Sequence, residues 1–483
     1  MPMPAPSFRD PAGCCVVFNR RVLRFVAADA QPGFEKFLQA GFAKKFTAEG
    51  KLISSRRLDE NEAAELRAVP ELKSIFAAQK IGAIFEHEKI SFPSYPHEWP
   101  PEMLWAAGKL TLELAQAALA DGFCLKDATP NNVLFRGGAP VFIDALSFEQ
   151  RDAHDPVWKP YAQFIRTFLL PLLANQKWNL SPAEIFTTRR DGVEPEEIYR
   201  LCGALEKFSP QLLSLVSIPT WLSRKVNPDN ERIYQPHLLK NAEKARFILE
   251  SSLKRLEKNL DSLKPASRKN SAWSGYMETH SYDDPAFAAK ENFVREALRE
   301  FKPARVLDAG ANTGHFSALA AQGGAGVVAV DLDAACAGAI WNRAREKKLD
   351  ILPLVVNLAR SSPALGWRNN EQASFLDRAT GAFDGVLMLA LIHHLLVTER
   401  IPLEEILRLA YQLTSQLLVI EFIEPQDAMF RRLTRGRESL HASLTSAVFE
   451  RACAPHFEIV RSLALPGTQR RMYCLSKRKD GAG

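Results

Sequence analysis

From about residue 305 onwards, short runs of apolar, β-branched residues alternate with longer stretches in which apolar residues recur every three or four positions. The first pattern suits strands buried on both faces, the second amphipathic helices. Strands are expected at residues 305–308 (RVLD), 327–331 (VVAVD), 351–357 (ILPLVVN), 384–390 (DGVLMLA) and 417–422 (LLVIEF). Helices are expected at 291–301, 315–322, 334–348 and 402–413. Such alternation predicts a parallel sheet covered on both sides, an α/β fold. Two further strands, around 457–465 and 471–477, are separated by PGTQR, a connection short enough for a hairpin, so the final strand should run antiparallel.

Upstream the pattern is α+β. Residues 14–27 (CCVVFNRRVLRFVA) read as a strand pair and residues 102–119 as a long amphipathic helix. The segments LKDATPNNVLF and PVFID bracket a turn at Arg136-Gly137-Gly138-Ala139, and helices dominate from about 157 to 260. Between the two patterns, residues 251–275 pass from a charged helical stretch into Lys-Pro-Ala-Ser-Arg-Lys-Asn-Ser. The expected division is therefore a first domain at 1–250, a linker at 251–275 and a second domain at 276–483. No repeat of solenoid period and no low-complexity tract interrupts either part.

Length agrees with that division, because 483 residues exceed what one hydrophobic core usually supports. A hydrophobic share of 46% with 24% charged residues excludes a disordered chain. The net charge of +6, from 62 basic and 56 acidic residues, is too dilute to indicate a nucleic-acid partner. None of the seven cysteines forms a C-x-x-C pair, so neither a disulfide framework nor a zinc site is expected. The chain shows no basic leader followed by an apolar stretch and no apolar run of bilayer length, so a cytoplasmic protein without a membrane partner is expected. Composition leaves the oligomeric state open.

The stretch Val306-Leu307-Asp308-Ala309-Gly310-Ala311-Asn312-Thr313-Gly314-His315-Phe316 runs from an apolar strand through a glycine turn into a helix. Small ligands dock at such turns in open α/β sheets, and glycines let a ligand approach the backbone. Asp308 is placed either to accept a bond from an ammonium group or to order the turn. Asp331 ends the next strand, where a carboxylate can accept hydrogen bonds from a ribose diol. A nicotinamide loop would carry glycine at the positions of Asn312 and His315, which disfavours that cofactor. A glycine turn with no ligand is the competing reading, weakened by Asp331, Asn357 and the strand order. At the end of the fourth strand, Ala390-Leu391-Ile392-His393-His394-Leu395 offers histidines as a candidate base, with Glu421 and Glu424 near the same rim. Paired histidines at such a junction also serve as packing or capping groups. Trp273, Tyr276, His280, Tyr282 and Lys290 form a polar-aromatic stretch that either closes over a ligand or packs a domain edge.

The D-x-G-x-[GN]-x-G loop, the acid after VVAV and the FDGVLMLALIHHL segment resemble class I methyltransferases over about two hundred residues. The resemblance implies a Rossmann-like seven-stranded sheet with a reversed last strand and S-adenosylmethionine as cofactor. It implies that Gly310, Asn312 and Gly314 line the methionine and sugar end, that Asp308 belongs to the same loop, that Asp331 holds the ribose and that Asn357 borders the adenine. His393, His394 and Glu421 are then the candidates for handling the acceptor's proton, and the acceptor is a small molecule or a carbohydrate-type compound.

In the first domain, Asp127 is followed five positions later by Asn132 and then by Asp144. This resembles the protein-kinase and aminoglycoside-kinase arrangement and implies a kinase-like α+β fold. By that resemblance Asp127 accepts a hydroxyl proton while Asn132 and Asp144 hold magnesium on ATP. Leu125 and Leu146 stand where that family carries histidine and glycine, so a degenerate nucleotide-binding or structural domain stays open beside a phosphotransferase. The joined layout resembles bacterial two-part proteins of the nodulation-type or generic methyltransferase kind.

Overall fold

The computed structural model describes residues 9–223, 237–266 and 284–478, which fall into two compact units. One comprises the described residues up to His97, Pro101–Pro265 and Leu365–Gln372; the other comprises Glu98–Pro100 and the described residues of Ala266–Ala364 and Ala373–Gly483.

The N-terminal unit begins with β1 (Gly13–Phe18) and β2 (Arg21–Ala27), an antiparallel pair turning at Asn19 and Arg20, both at positive φ (46° and 65°). Positive φ at both turn residues matches the right-handed twist of the flanking strands. With β3 (Ser55–Arg57) and β4 (Ile81–His87) they form a sheet of order β1-β2-β4-β3. The helix Pro101–Ala120 follows, then β5 (Phe123–Leu125), the hairpin β6 (Val133–Arg136) and β7 (Ala139–Phe142), and β8 (Phe148–Gln150), which pairs with β5. Gly137 takes the positive φ (54°) that the expected turn requires.

The segment expected to be a linker needs correction in its first half. Residues 251–262 are the end of the helix Ala242–Ser262, which buries Leu249, Leu253, Leu256 and Leu260. Gly108 lies at a tight packing point, where a Cβ would stand 3.1 Å from Phe168 Cδ1 and 3.4 Å from Leu260 Cδ1. Lys109 Nζ donates to Glu257 (2.8 Å) and Asp261 (3.0 Å), so the charges that suggested an exposed connection flank a buried stripe.

In the C-terminal unit the strands are β9 (Arg305–Ala309), β10 (Gly326–Asp331), β11 (Ile351–Val355), β12 (Phe383–Met388), β13 (Thr414–Ile423), β14 (Phe457–Ala464) and β15 (Arg470–Lys477). They form one seven-stranded sheet of order β11-β10-β9-β12-β13-β15-β14. The first five are parallel, and β15 runs antiparallel to both its neighbours, as the short final connection predicted. Val306, Val327, Ala329, Leu387, Leu417 and Val419 make the core with Val294, Ala297 and Leu319 from the helices Asp284–Phe301 and His315–Gln322. Two strands end earlier than expected. Asn357 leaves β11 to cap a 3-10 turn at Leu358–Arg360, and Ala390, at φ 51°, breaks the extended run of β12. Among the described residues no helix is long and apolar enough to cross a membrane, and all seven cysteines are free.

Candidate functional site

The order of β10, β9 and β12 is non-sequential, and the crevice beyond the carboxyl ends of strands at such a crossover is where open α/β sheets take ligands. The loop after β9 is built for close approach. Gly310, Asn312 and Gly314 all adopt positive φ (73°, 49° and 76°), and Gly314 opens the helix His315–Gln322. Asparagine tolerates this region, which answers its place in a glycine position. A Cβ on Gly314 would come within 2.8 Å of Ile340 Cγ1, so side-chain bulk there is excluded by the packing helix as well as by φ. Gly310 and Ala311 both donate to the Val330 carbonyl, at 2.9 and 3.0 Å, which ties the loop to the end of β10.

Asp331 completes that tie. Its Oδ2 accepts from the Asn312 N–H at 2.8 Å and its Oδ1 from the Asp333 N–H at 2.9 Å. With three amide donors on its two oxygens, the carboxylate keeps acceptor capacity for a hydroxyl group. Burial raises its pKa, and bonds from the Asp333, Asn312 and Leu332 amides oppose that rise. Asn357 lies one strand over, its Oδ1 accepting from the Ala359 N–H at 2.9 Å, while the Val356 N–H donates to the Asp331 carbonyl. The glycine cradle, the pinned carboxylate and Asn357 fit the adenosyl and amino-acid parts of S-adenosylmethionine.

Asp308 is almost wholly buried (2% exposed) and accepts from the Ser317 hydroxyl at 2.5 Å. Of its two expected roles the geometry displays the ordering of the turn, with Ser317 as the partner that spacing did not reveal. Burial pushes this carboxyl up to about 6, against the opposing bond from Ser317.

The rim after β12 departs further from expectation. His393 is buried, its Nδ1 has no hydrogen-bond partner among the described residues, and its ring centroid lies 4.2 Å from that of His394. Burial, with His394 and Arg470 nearby, holds it down to about 3, and burial lowers His394 as well. Both rings are thus held towards the neutral form. Glu421 is not a free base: it is fully buried, 2.6 Å from Lys290 Nζ and 3.4 Å from the Arg470 guanidinium, which also meets Asp427 at 2.9 Å. The four groups form a charge-balanced chain beneath the rim. Lys290 therefore anchors the helix Asp284–Phe301 to β13 instead of covering a ligand; Trp273, Tyr276, His280 and Tyr282 lie outside the described residues. Glu424 accepts from the Ser446 N–H and hydroxyl. Among the described residues no cluster suited to a metal ion occurs.

In the N-terminal unit the structure brings Asn132 and Asp144 together through Ser147. Ser147 Oγ donates to Asp144 Oδ2 at 2.5 Å and accepts from Asn132 Nδ2 at 3.3 Å. Asp127 is exposed and accepts from Gln163 Nε2 at 3.5 Å. The other oxygen of Asp144 is 3.2 Å from Arg24 on β2, whose Nε donates to His87 Nε2 at 2.9 Å. A guanidinium already neutralises the carboxylate that magnesium would need, so these residues do not fit a magnesium–ATP site. Arg24, inside the apolar run VLRFVA, was the available signal for this pairing.

Comparison with known proteins matches residues 282–456 to a methyltransferase domain family. The chain is 29% identical over 479 residues to the nodulation protein NoeA of Rhizobium meliloti (strain 1021), covering 98% of this chain and 96% of that one. Among solved structures it is similar to the N-methyltransferase NodS from Bradyrhizobium japonicum WM9, 14% identical with a TM-score of 0.31, covering 41% of this chain and 99% of the other. The magnesium protoporphyrin IX methyltransferase ChlM from Synechocystis PCC 6803 is 18% identical with a TM-score of 0.30, over 40% of this chain and 84% of that one.

Proposed function

We propose that this chain, whose residues 282–456 match a methyltransferase domain family, is a class I methyltransferase that binds S-adenosylmethionine at the β9–β10 loop and methylates a small-molecule acceptor. The cofactor supplies an electrophilic methyl on a sulfonium, open to in-line displacement. Gly310, Asn312 and Gly314 would admit its amino-acid end to the backbone, Asp331 would hold the ribose hydroxyls and Asn357 would border the base. The protein's share of the work is alignment and exclusion of water, since displacement at a sulfonium demands little else. His393, held towards the neutral form, has an Nδ1 without a partner among the described residues, open to a hydrogen bond with an acceptor molecule. Glu421 keeps a positioning role through Lys290 and Arg470.

The observation that carries this reading is the Asp331 carboxylate, pinned by the Asn312 and Asp333 amides at the strand end beside the glycine cradle. Calorimetric titration with S-adenosylhomocysteine should show Asp331→Ala weakening binding at least about tenfold, the loss of one charge-assisted contact. Equal affinity in the variant would refute the assignment. Incubation of cell extract with methyl-labelled cofactor should yield a labelled product; a scaffold would leave none.

For the N-terminal unit a kinase-like fold without phosphotransfer is the reading best supported, because Asn132 and Asp144 converge while Arg24 takes the charge of Asp144. Saturating magnesium–ATP should leave the thermal unfolding of the chain unchanged. A rise in Tm abolished by Asp144→Ala would overturn this reading and favour a phosphotransferase.

A further inference from the structure

Glu98, Trp99 and Pro100 belong to the C-terminal unit, although the residues on either side of them in the sequence belong to the other. Glu98 and Trp99 are wholly buried (0% exposed). A carboxylate is costly to bury unless donors surround it, so the partners of Glu98 are informative. Its Oε1 accepts from the Ser362 hydroxyl and from the guanidinium of Arg378, whose side chain is itself only 6% exposed. These two partners flank one excursion of the chain, for between them lie Leu365–Gln372, which belong to the N-terminal unit. The Phe375 N–H closes the same neck by donating to the Ser362 carbonyl at 3.0 Å. Arg378 is aimed from the helix Phe375–Ala379: its Nε donates to the Ala373 and Ser374 carbonyls at 3.3 and 3.2 Å, and its guanidinium lies 5.7 Å from the centre of the buried Phe375 ring.

The chain that enters this neck comes from the cofactor crevice. β11 lies at the edge of the sheet with β10 as its one neighbour, and between its end and the helix Phe375–Ala379 the chain makes 3-10 turns and a single isolated bridge. A run with so few backbone bonds of its own opens easily unless side chains grip it. Asn357 starts the run, its Oδ1 and carbonyl accepting from the Ala359 and Arg360 amides. Arg360 then meets Glu399 at 3.2 Å, but from a side chain that is 75% exposed. A surface pair of that kind holds little. The bond to Ser362, by contrast, is made by a fully buried carboxylate.

We propose that Glu98 is a positioning residue for the cofactor: through Ser362 and Arg378 it closes the neck of this excursion and so fixes the run that presents Asn357 to the adenine ring. The proposal rests on the methyltransferase reading above, and it adds to that site a residue from outside the span 282–456 that the domain family matches. An ion pair that served stability alone would show no energetic coupling to Asn357, whereas a positioning residue must. Calorimetric titration of the full chain with S-adenosylhomocysteine measures that coupling. Ser362→Ala removes one hydroxyl and leaves Glu98 and Arg378 paired, so affinity should fall about tenfold, the worth of one directed hydrogen bond to a carboxylate. Glu98→Gln should lower it at least as far. Placed on Asn357→Ala, either change should cost less than about twofold further, because the residue it positions is gone; placed on Asp331→Ala, each should keep its full effect. Undiminished affinity in Ser362→Ala, an undiminished loss on Asn357→Ala, or the same relief on Asp331→Ala would overturn the proposal and leave the methyltransferase reading standing. A wild type that does not bind S-adenosylhomocysteine would sink both. Should Glu98→Gln fail to fold, Ser362→Ala carries the whole cycle by itself.

Discussion

Gly314 meets two independent constraints, a left-handed backbone and the flank of Ile340 at 2.8 Å from any added Cβ. Left-handed strain alone costs about 1–2 kcal/mol for a residue with a side chain. Gly314→Ala should therefore lower stability by at least that amount in urea unfolding, and Gly324→Ala, at φ 94° with open space around it, by the strain alone. Asp308 offers a pH-dependent test. Its carboxyl rises from an ordinary 3.8 to about 6 on burial, so between those values the folded chain holds a proton that the unfolded chain has released. Stability is then lost as pH rises from about 4 to about 6, by about 3 kcal/mol at most, and stays lost above. Asp308→Asn should match the wild type near pH 4 and exceed it above pH 6. A pH-independent difference in urea midpoints would show the carboxyl charged throughout. His393 titrates the other way: held at about 3, it stays neutral while the unfolded ring protonates below about 6.5, and stability falls as pH falls through that range. Its ring protons, assigned with His393→Gln, should keep their neutral NMR positions down to pH 4.5. At this scale the glycine positions were legible because backbone sterics are local. The burial of Asp308, His393 and Glu421 was not, since nothing in a residue's immediate neighbours fixes its solvent exposure.

The strands β9, β10 and β12 stood out in the sequence because sheets covered on both faces demand unbroken apolar runs, and helices such as Leu403–Leu413 because one buried stripe repeats at their own period. The chain Lys290–Glu421–Arg470–Asp427 was invisible, its members being separated by 131, 49 and 43 positions. It joins the helix Asp284–Phe301, β13, β15 and the cap of the helix Ala428–Thr434. Glu421→Ala would remove a buried carboxylate partner from both Lys290 and Arg470, a loss of about 3–5 kcal/mol. Replacing both members, Lys290→Met with Glu421→Leu, should cost less than Glu421→Ala alone, measured as a double-mutant cycle in guanidinium. A double variant worse than the single would show the pair to stabilise beyond its own desolvation. The segment expected as a linker failed for a related reason, because the leucine stripe of the helix Ala242–Ser262 was hidden among charges that pair with its neighbour.

Two compact units with separate cores should respond separately to ligand. In scanning calorimetry, S-adenosylhomocysteine at a hundredfold its Kd should stabilise the C-terminal unit by about 2.7 kcal/mol and leave the other transition in place. A uniform shift would mean that the units unfold together. The order β13-β15-β14 has its own consequence for how the larger sheet breathes. β15 is bonded on both sides, whereas β14 has a single neighbour and exposes Ile459, Val460 and Leu463 to solvent. Deuterium should thus enter the amides of β14, and those of β15 that donate to β14, through local fraying within minutes, while the β15 amides that donate to β13 exchange only as slowly as the whole unit opens, so the outermost strand can peel away without loosening the strands that flank the crevice.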